Sequence, residues 1–183
     1  MRYSVWHTRN GFKVRRVTMK NTQNEWVEVK IVRLLKTTPE FAYQAWTDSE
    51  ILRHGFMTTS RTNRSVESEP IEGGQYQIID QRQGKTVRIE GVYKHLVIGE
   101  ELALTIQMPD FSDQQDDIEV YFEERSPGIT QMTFYYKSEI PKERRLTQLE
   151  YKQKKKEYHD SMVHGFENMF DTMQKYIEEQ PID

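Results

Sequence analysis

The side chains able to do acid–base or metal chemistry are few. The chain holds five histidines, His7, His54, His95, His159 and His164, and no cysteine. The lack of cysteine excludes disulfides, thiolate nucleophiles and cysteine-based zinc sites. His164 and Glu167 are three apart and share a turn of a helix. His159 lies five residues before His164, about 500° of helical rotation, so it faces elsewhere. Two helical ligands without a third make a poor zinc site, and these histidines read as surface residues. His95 and Glu101 bracket a turn and have the types of an acid–base pair, but such a position reads first as exposed surface. No Gly-x-Ser-x-Gly elbow, phosphate loop or dinucleotide fingerprint is present. The sequence points to no metal and no cofactor, and an enzyme is the less favoured expectation.

The apolar side chains say more. In "SMVHGFENMFDTMQKYI" (161–177), Met162, Phe166, Met169, Phe170, Met173 and Ile177 fall on one face of an α-helix. The chain holds eight methionines, and methionine adapts to irregular space. Such a face must lie against something broad. It either completes a core or leaves part of the space open as an apolar pocket.

The elements that position this face follow from the punctuation. "WVEVKIVRLL" (26–35) alternates, with Val27, Val29 and Ile31 on one side: a half-buried strand. "TTPEFAYQAWTDSEILRHGF" changes to helical period. Thr38 and Asp48 suit caps, Pro39 suits a first helical position, and a second short helix ends near Gly55. From about 58 to 139 the chain reads as strands and tight turns, with "EGGQ", "RQGK" and "SPG" as turns. Inward positions include Tyr76, Ile78, Val87, Ile89, Tyr93, Leu102, Leu104, Ile106, Met108, Val120, Phe122, Met132, Phe134 and Tyr136. Gly91 predicts a bulge or bend. Short intervals between strands predict an antiparallel meander. After Pro141 one long helix is expected from about Glu143 to Glu179, with a break near 157–160 one reading of it. Strands in a run with helices segregated at the ends define an α+β domain, its sheet curved around the C-terminal helix.

Composition fits this. The chain has 183 residues, 30% charged and 11% aromatic, in keeping with a globular domain. No apolar run reaches signal-peptide or membrane-spanning length, which predicts a cytoplasmic protein with no membrane association. The net charge of −3 hides an asymmetry: residues 1–36 carry nine Lys/Arg against two Glu. That arm contains "RYSVWHT" and "FKVRRVTM" around "RNG", a hairpin signal. It lacks a nucleic-acid motif, so its charges read as solvent-facing or set against the acidic body, and no nucleic acid is expected. The domain reading is an N-terminal basic hairpin extension, 1–25, and one domain, 26–183.

Several short segments, in order, resemble the activator of heat-shock protein 90 ATPase homologue family, within the START-like or birch-pollen-allergen-like (SRPBCC) superfamily. They are "PEFAYQAWTDSEILRHGF" (39–56), "EPIEGGQYQI" (69–78), "GVYKHLVIGEEL" (91–102) and "HGFENMFDTM" (164–173). Phe166 and Phe170 stand where the family has Trp and Leu, and "HGF" where it often has Trp near position 55. The resemblance covers about residues 26–179 and implies the helix-grip fold.

It also implies a hydrophobic ligand held between sheet and helix. Candidate wall residues are Tyr76, Tyr93, Leu104, Phe122, Phe134 and Tyr136 from the sheet and Phe166, Met169 and Met173 from the helix. Phe56 would act as a lid, with Gly55 beside it permitting movement. The alternative is a protein-interaction module of the chaperone-activator kind. A polyketide cyclase-like enzyme is the weaker third. Partners are then a small hydrophobic molecule or a protein, with the chain a monomer or homodimer.

Overall fold

The computed structural model describes residues 25–140 and 145–181. The expected N-terminal extension lies outside the described residues except for Glu25, which opens the first strand.

The order is β1 (Glu25–Leu35), α1 (Pro39–Gln44), α2 (Ser49–Leu52), β2 (Asn63–Ser68), β3 (Gln75–Arg82), β4 (Lys85–Val97), β5 (Glu101–Gln107), β6 (Gln115–Ser126), β7 (Ile129–Ile140) and α3 (Gln148–Glu178). The strands form one seven-stranded sheet in the order β1-β7-β6-β5-β4-β3-β2, and every pairing is antiparallel. β2 to β7 make a meander, and β1 returns to pair with β7. The curved sheet grips α3, the helix-grip fold.

Local chemistry sets the element ends. Thr38 accepts from the Phe41 N–H and Pro39 occupies the first turn of α1. Asp48 caps α2. The Gln83–Gly84 turn has positive φ at both residues, as a two-residue hairpin turn requires. At α3, Thr147 and Glu150 form a reciprocal capping box. The helix is continuous through 157–160.

Inward positions of β1 and β3 to β7 pack with α1, α2 and α3 in one core. At its centre the Trp46 ring lies 5.9 Å from Phe134, 5.1 Å from Phe56 and 6.0 Å from Phe170. Gly91 leaves room for Tyr76: a Cβ there would sit 2.7 Å from the Tyr76 ring and 1.9 Å from the Thr105 carbonyl oxygen. The bulge expected at Gly91 falls slightly later, between Tyr93 and His95. The N-terminal half of α3 covers a second cluster of Val27, Ile140 and Tyr151. No helix among the described residues is long and apolar enough to cross a membrane.

Candidate functional site

A cavity of about 790 Å³ opens between α3, the loop after α2, the ends of β3 and β5, and the β5–β6 connection. That is the size of a small-molecule site. Met57, Ile106, Met108, Phe111, Met162, Phe166 and Met169 give it an apolar wall. Two methionines here belong to no helical stripe: Met57 and Met108 come from loops, and Met57 has φ +57°, a conformation uncommon for a side chain of this kind.

Two polar groups interrupt the wall. The first surrounds Asp80, whose side chain is wholly buried. Thr58 Oγ1 donates to Asp80 Oδ1 at 2.6 Å, and Arg82 Nε pairs with Asp80 Oδ2. Arg82 Nη2 also donates to the Met57 carbonyl oxygen. Asp80 follows Tyr76 and Ile78 at inward parity on β3, so an acid is turned into the protein and its cation comes from two residues on.

The second group is Gln114, Asp116, Tyr136, Ser138 and Tyr158. Tyr136 Oη donates to Asp116 Oδ2 at 2.6 Å, and Gln114 Nε2 donates to Asp116 Oδ1 at 2.9 Å. Tyr158 Oη lies 3.2 Å from Tyr136 Oη and 3.1 Å from Ser138 Oγ. Burial, and then the bond to Asp116, push the Tyr136 phenol well above its ordinary value. It therefore stays a donor at neutral pH.

Of the sequence-predicted wall residues, Tyr136, Phe166 and Met169 line this cavity. The other seven, Phe56, Tyr76, Tyr93, Leu104, Phe122, Phe134 and Met173, are buried in the packed core. Phe56 packs between Trp46 and Tyr76 at 5.1 and 5.8 Å, and the residue at the cavity is its neighbour Met57. Tyr76 donates to the Thr105 carbonyl at 2.7 Å and Tyr93 to the Trp46 carbonyl at 3.1 Å, so both hydroxyls serve the core. Burial raises Tyr93 to about 12.

Sequence reading missed Asp80, Arg82, Gln114, Asp116 and Tyr158. Parity held a usable signal: Asp116 precedes Ile118, Val120 and Phe122 on the inward face of β6. Likewise Tyr158 extends the helical stripe backward from Met162 by four residues.

The histidine candidates lie elsewhere. His95 Nε2 does meet Glu101 Oε1, at 2.9 Å, and Nδ1 meets Glu72 Oε1 at 3.0 Å, but the cluster is exposed and does not line the cavity. His164 bonds Asn168 on its own helix and His159 bonds Asp160.

A sheet gripping a C-terminal helix, with a cavity at one end, defines a START-like domain. The family profile for "Activator of Hsp90 ATPase homolog 1-like protein" matches residues 36–178, and the chain belongs to that family. A Staphylococcus aureus protein of unknown function, SA2116, is 55% identical and superposes with a TM-score of 0.79, covering 86% of this chain and 97% of its own. Protein CV1439 from Chromobacterium violaceum is 17% identical with a TM-score of 0.63, covering 84% and 98%. Ara h 8.0201 is 11% identical with a TM-score of 0.62, covering 85% and 100%. The last two are likenesses of fold alone. A search of curated proteins gives no significant match.

Proposed function

We propose that the chain binds a small hydrophobic molecule in the cavity beside α3. The observation that carries this is the contrast between a closely packed aromatic core and an adjoining 790 Å³ space walled by methionine and phenylalanine. Flexible methionines suit a ligand of variable outline. Tyr136, Phe166 and Met169 would contact it, joined by Met57, Ile106, Met108, Phe111 and Met162. The test is a thermal-shift screen with fatty acids, flavonoids and other flat hydrophobic compounds. A true ligand at a hundred times its dissociation constant stabilises by about 2.7 kcal/mol. Absence of any shift across the screen would overturn the reading.

A second reading, a protein-interaction module, rests on the outer face of the sheet. Trp26, Tyr121 and Tyr135 are exposed there, with Lys137 over the Trp26 ring and Lys30 over Tyr135. Exposed aromatics among charges are the composition of a binding surface. The family description, activator of a chaperone ATPase, agrees with that use. Stimulation of the chaperone's ATPase that survives obstruction of the cavity but is lost in Trp26→Ala with Tyr135→Ala would favour it.

A further inference from the structure

Two charged groups touch the cavity, and their states differ. Arg82 is committed: Nε pairs with Asp80, Nη2 bonds the Met57 carbonyl, and its charge is matched by a wholly buried carboxylate. A ligand acid would find no net positive charge there. Asp116 has no such match. It is half-buried, and among the described residues its only partners are Gln114 Nε2 and Tyr136 Oη, one on each oxygen. An ionised carboxylate offers about four acceptor sites, so about two remain unused.

The hydroxyls around it have a fixed sense. Tyr136 donates its proton to Asp116. The 3.2 Å contact between the two phenols can then only be donation from Tyr158 to Tyr136. Ser138, 3.1 Å from Tyr158, completes the chain. The Tyr136 and Tyr158 hydroxyls thus point toward Asp116, while Gln114 Nε2, which donates to Asp116, also reaches Ser138 Oγ at 2.8 Å and the Glu139 carbonyl at 2.7 Å. A half-buried carboxylate on an apolar wall, paired with no cation among the described residues, favours a partner that brings a donor.

We infer that Asp116 is the polar anchor of the cavity and that its ligand is an apolar molecule carrying a hydroxyl or amine donor, rather than an acid. This deepens the proposed ligand-binding function and rests on it. The donor would meet Asp116 beside Tyr136, while the apolar body lies along Ile106, Met162, Phe166 and Met169. A hydroxyl and an ammonium share this chemistry, and a probe series separates them.

The experiment is calorimetric titration of the full chain at neutral pH with three probes of one shape: 2-naphthol, 2-(aminomethyl)naphthalene and 2-naphthoate. The expected result is that the hydroxyl probe, the amine probe or both bind at least about tenfold tighter than naphthoate, the scale of a hydrogen bond to a charged group. Weakening of the amine alone in high salt would mark an ion pair. Asp116→Asn should bring the three probes to within about threefold of one another. Should that variant fail to fold, the order of the probes on the unaltered chain decides by itself. Equal binding of all three, or tighter binding of naphthoate, overturns this inference and leaves the cavity reading standing. No binding of any probe overturns both.

Discussion

Gly55 lies flat against Met173. A Cβ built on Gly55 would stand 2.8 Å from both the Cα and the Cβ of Met173. The glycine therefore serves close approach of the α2 loop to α3, whereas the sequence suggested freedom of movement. It also fixes where Phe56 enters the core and where Met57 meets the cavity.

Gly55→Ala should accordingly push this loop away from α3. Overpacking of this kind costs about 1–3 kcal/mol. Urea denaturation should show a lowered midpoint with an unchanged slope. If the loop were free to move, the alanine would be neutral or slightly stabilising through the unfolded chain.

Phe170 is 1% exposed, with its ring 4.9 Å from Phe134 and 6.0 Å from Trp46. Phe170→Ala should cost about 3–5 kcal/mol by opening a void at the centre of the grip. Phe170→Asp should prevent folding, since it adds an unpaired buried charge. Circular dichroism of both variants checks this, and a Phe170→Asp protein that melts like the parent would refute the packing described here.

Much of this was legible in the chain, because local periodicity carried it. The stripe from Met162 to Ile177 is buried apart from the half-buried Met162, and Thr38 and Asp48 cap as their types suggested. The position of the open space was not legible. Parity says that Leu104 and Ile106 both face inward, but not that Leu104 packs in the core while Ile106, one step toward the strand end, borders the cavity. Arg33 shows the same limit. It sits at inward parity on β1 and reaches Glu167 and Asp171 on α3, pairs separated by more than 130 residues that no local pattern reveals.

Arg33→Ala should cost about 1–2 kcal/mol, because it removes charge-assisted bonds to both α3 acids. Part of the Arg33 side chain is exposed, so raised salt should narrow the difference from the parent. Chemical denaturation at low and high salt measures it.

The two best-placed histidines should titrate on opposite sides of the ordinary value. Bonds to Glu101, and then Glu72, raise His95. Burial, and then the Arg53 charge, lower His54, whose ring stacks on Tyr176 at 4.1 Å. A folded value above the unfolded one, about 6.5, makes the His95 contribution complete below that pH. It is lost as pH rises through the raised folded value. His54 has the reverse sign: its contribution is complete above the unfolded value and lost as pH falls through the lowered one. NMR titration of the ring protons should show His54 losing its proton before His95 as pH rises. Relative to His95→Gln, the parent's extra stability should be seen at mildly acidic pH and vanish at alkaline pH.

Met162 and Leu104 offer a paired test of where the open space lies. Met162 is half-buried on α3 and borders the cavity; Leu104 is 1% exposed and packs inside the core. An indole at Met162 would extend into unoccupied volume, so Met162→Trp should change stability by no more than about 1 kcal/mol. It should also abolish the thermal shift given by any apolar ligand that shifts the parent. The same indole at Leu104 has no space to enter, and Leu104→Trp should destabilise by about 1–3 kcal/mol or more. Urea denaturation supplies the stabilities and a thermal-shift assay supplies the binding. The opposite pattern, with Leu104→Trp tolerated and Met162→Trp disruptive, would put the void deeper between sheet and helix, among the aromatic residues that this structure shows in contact with one another.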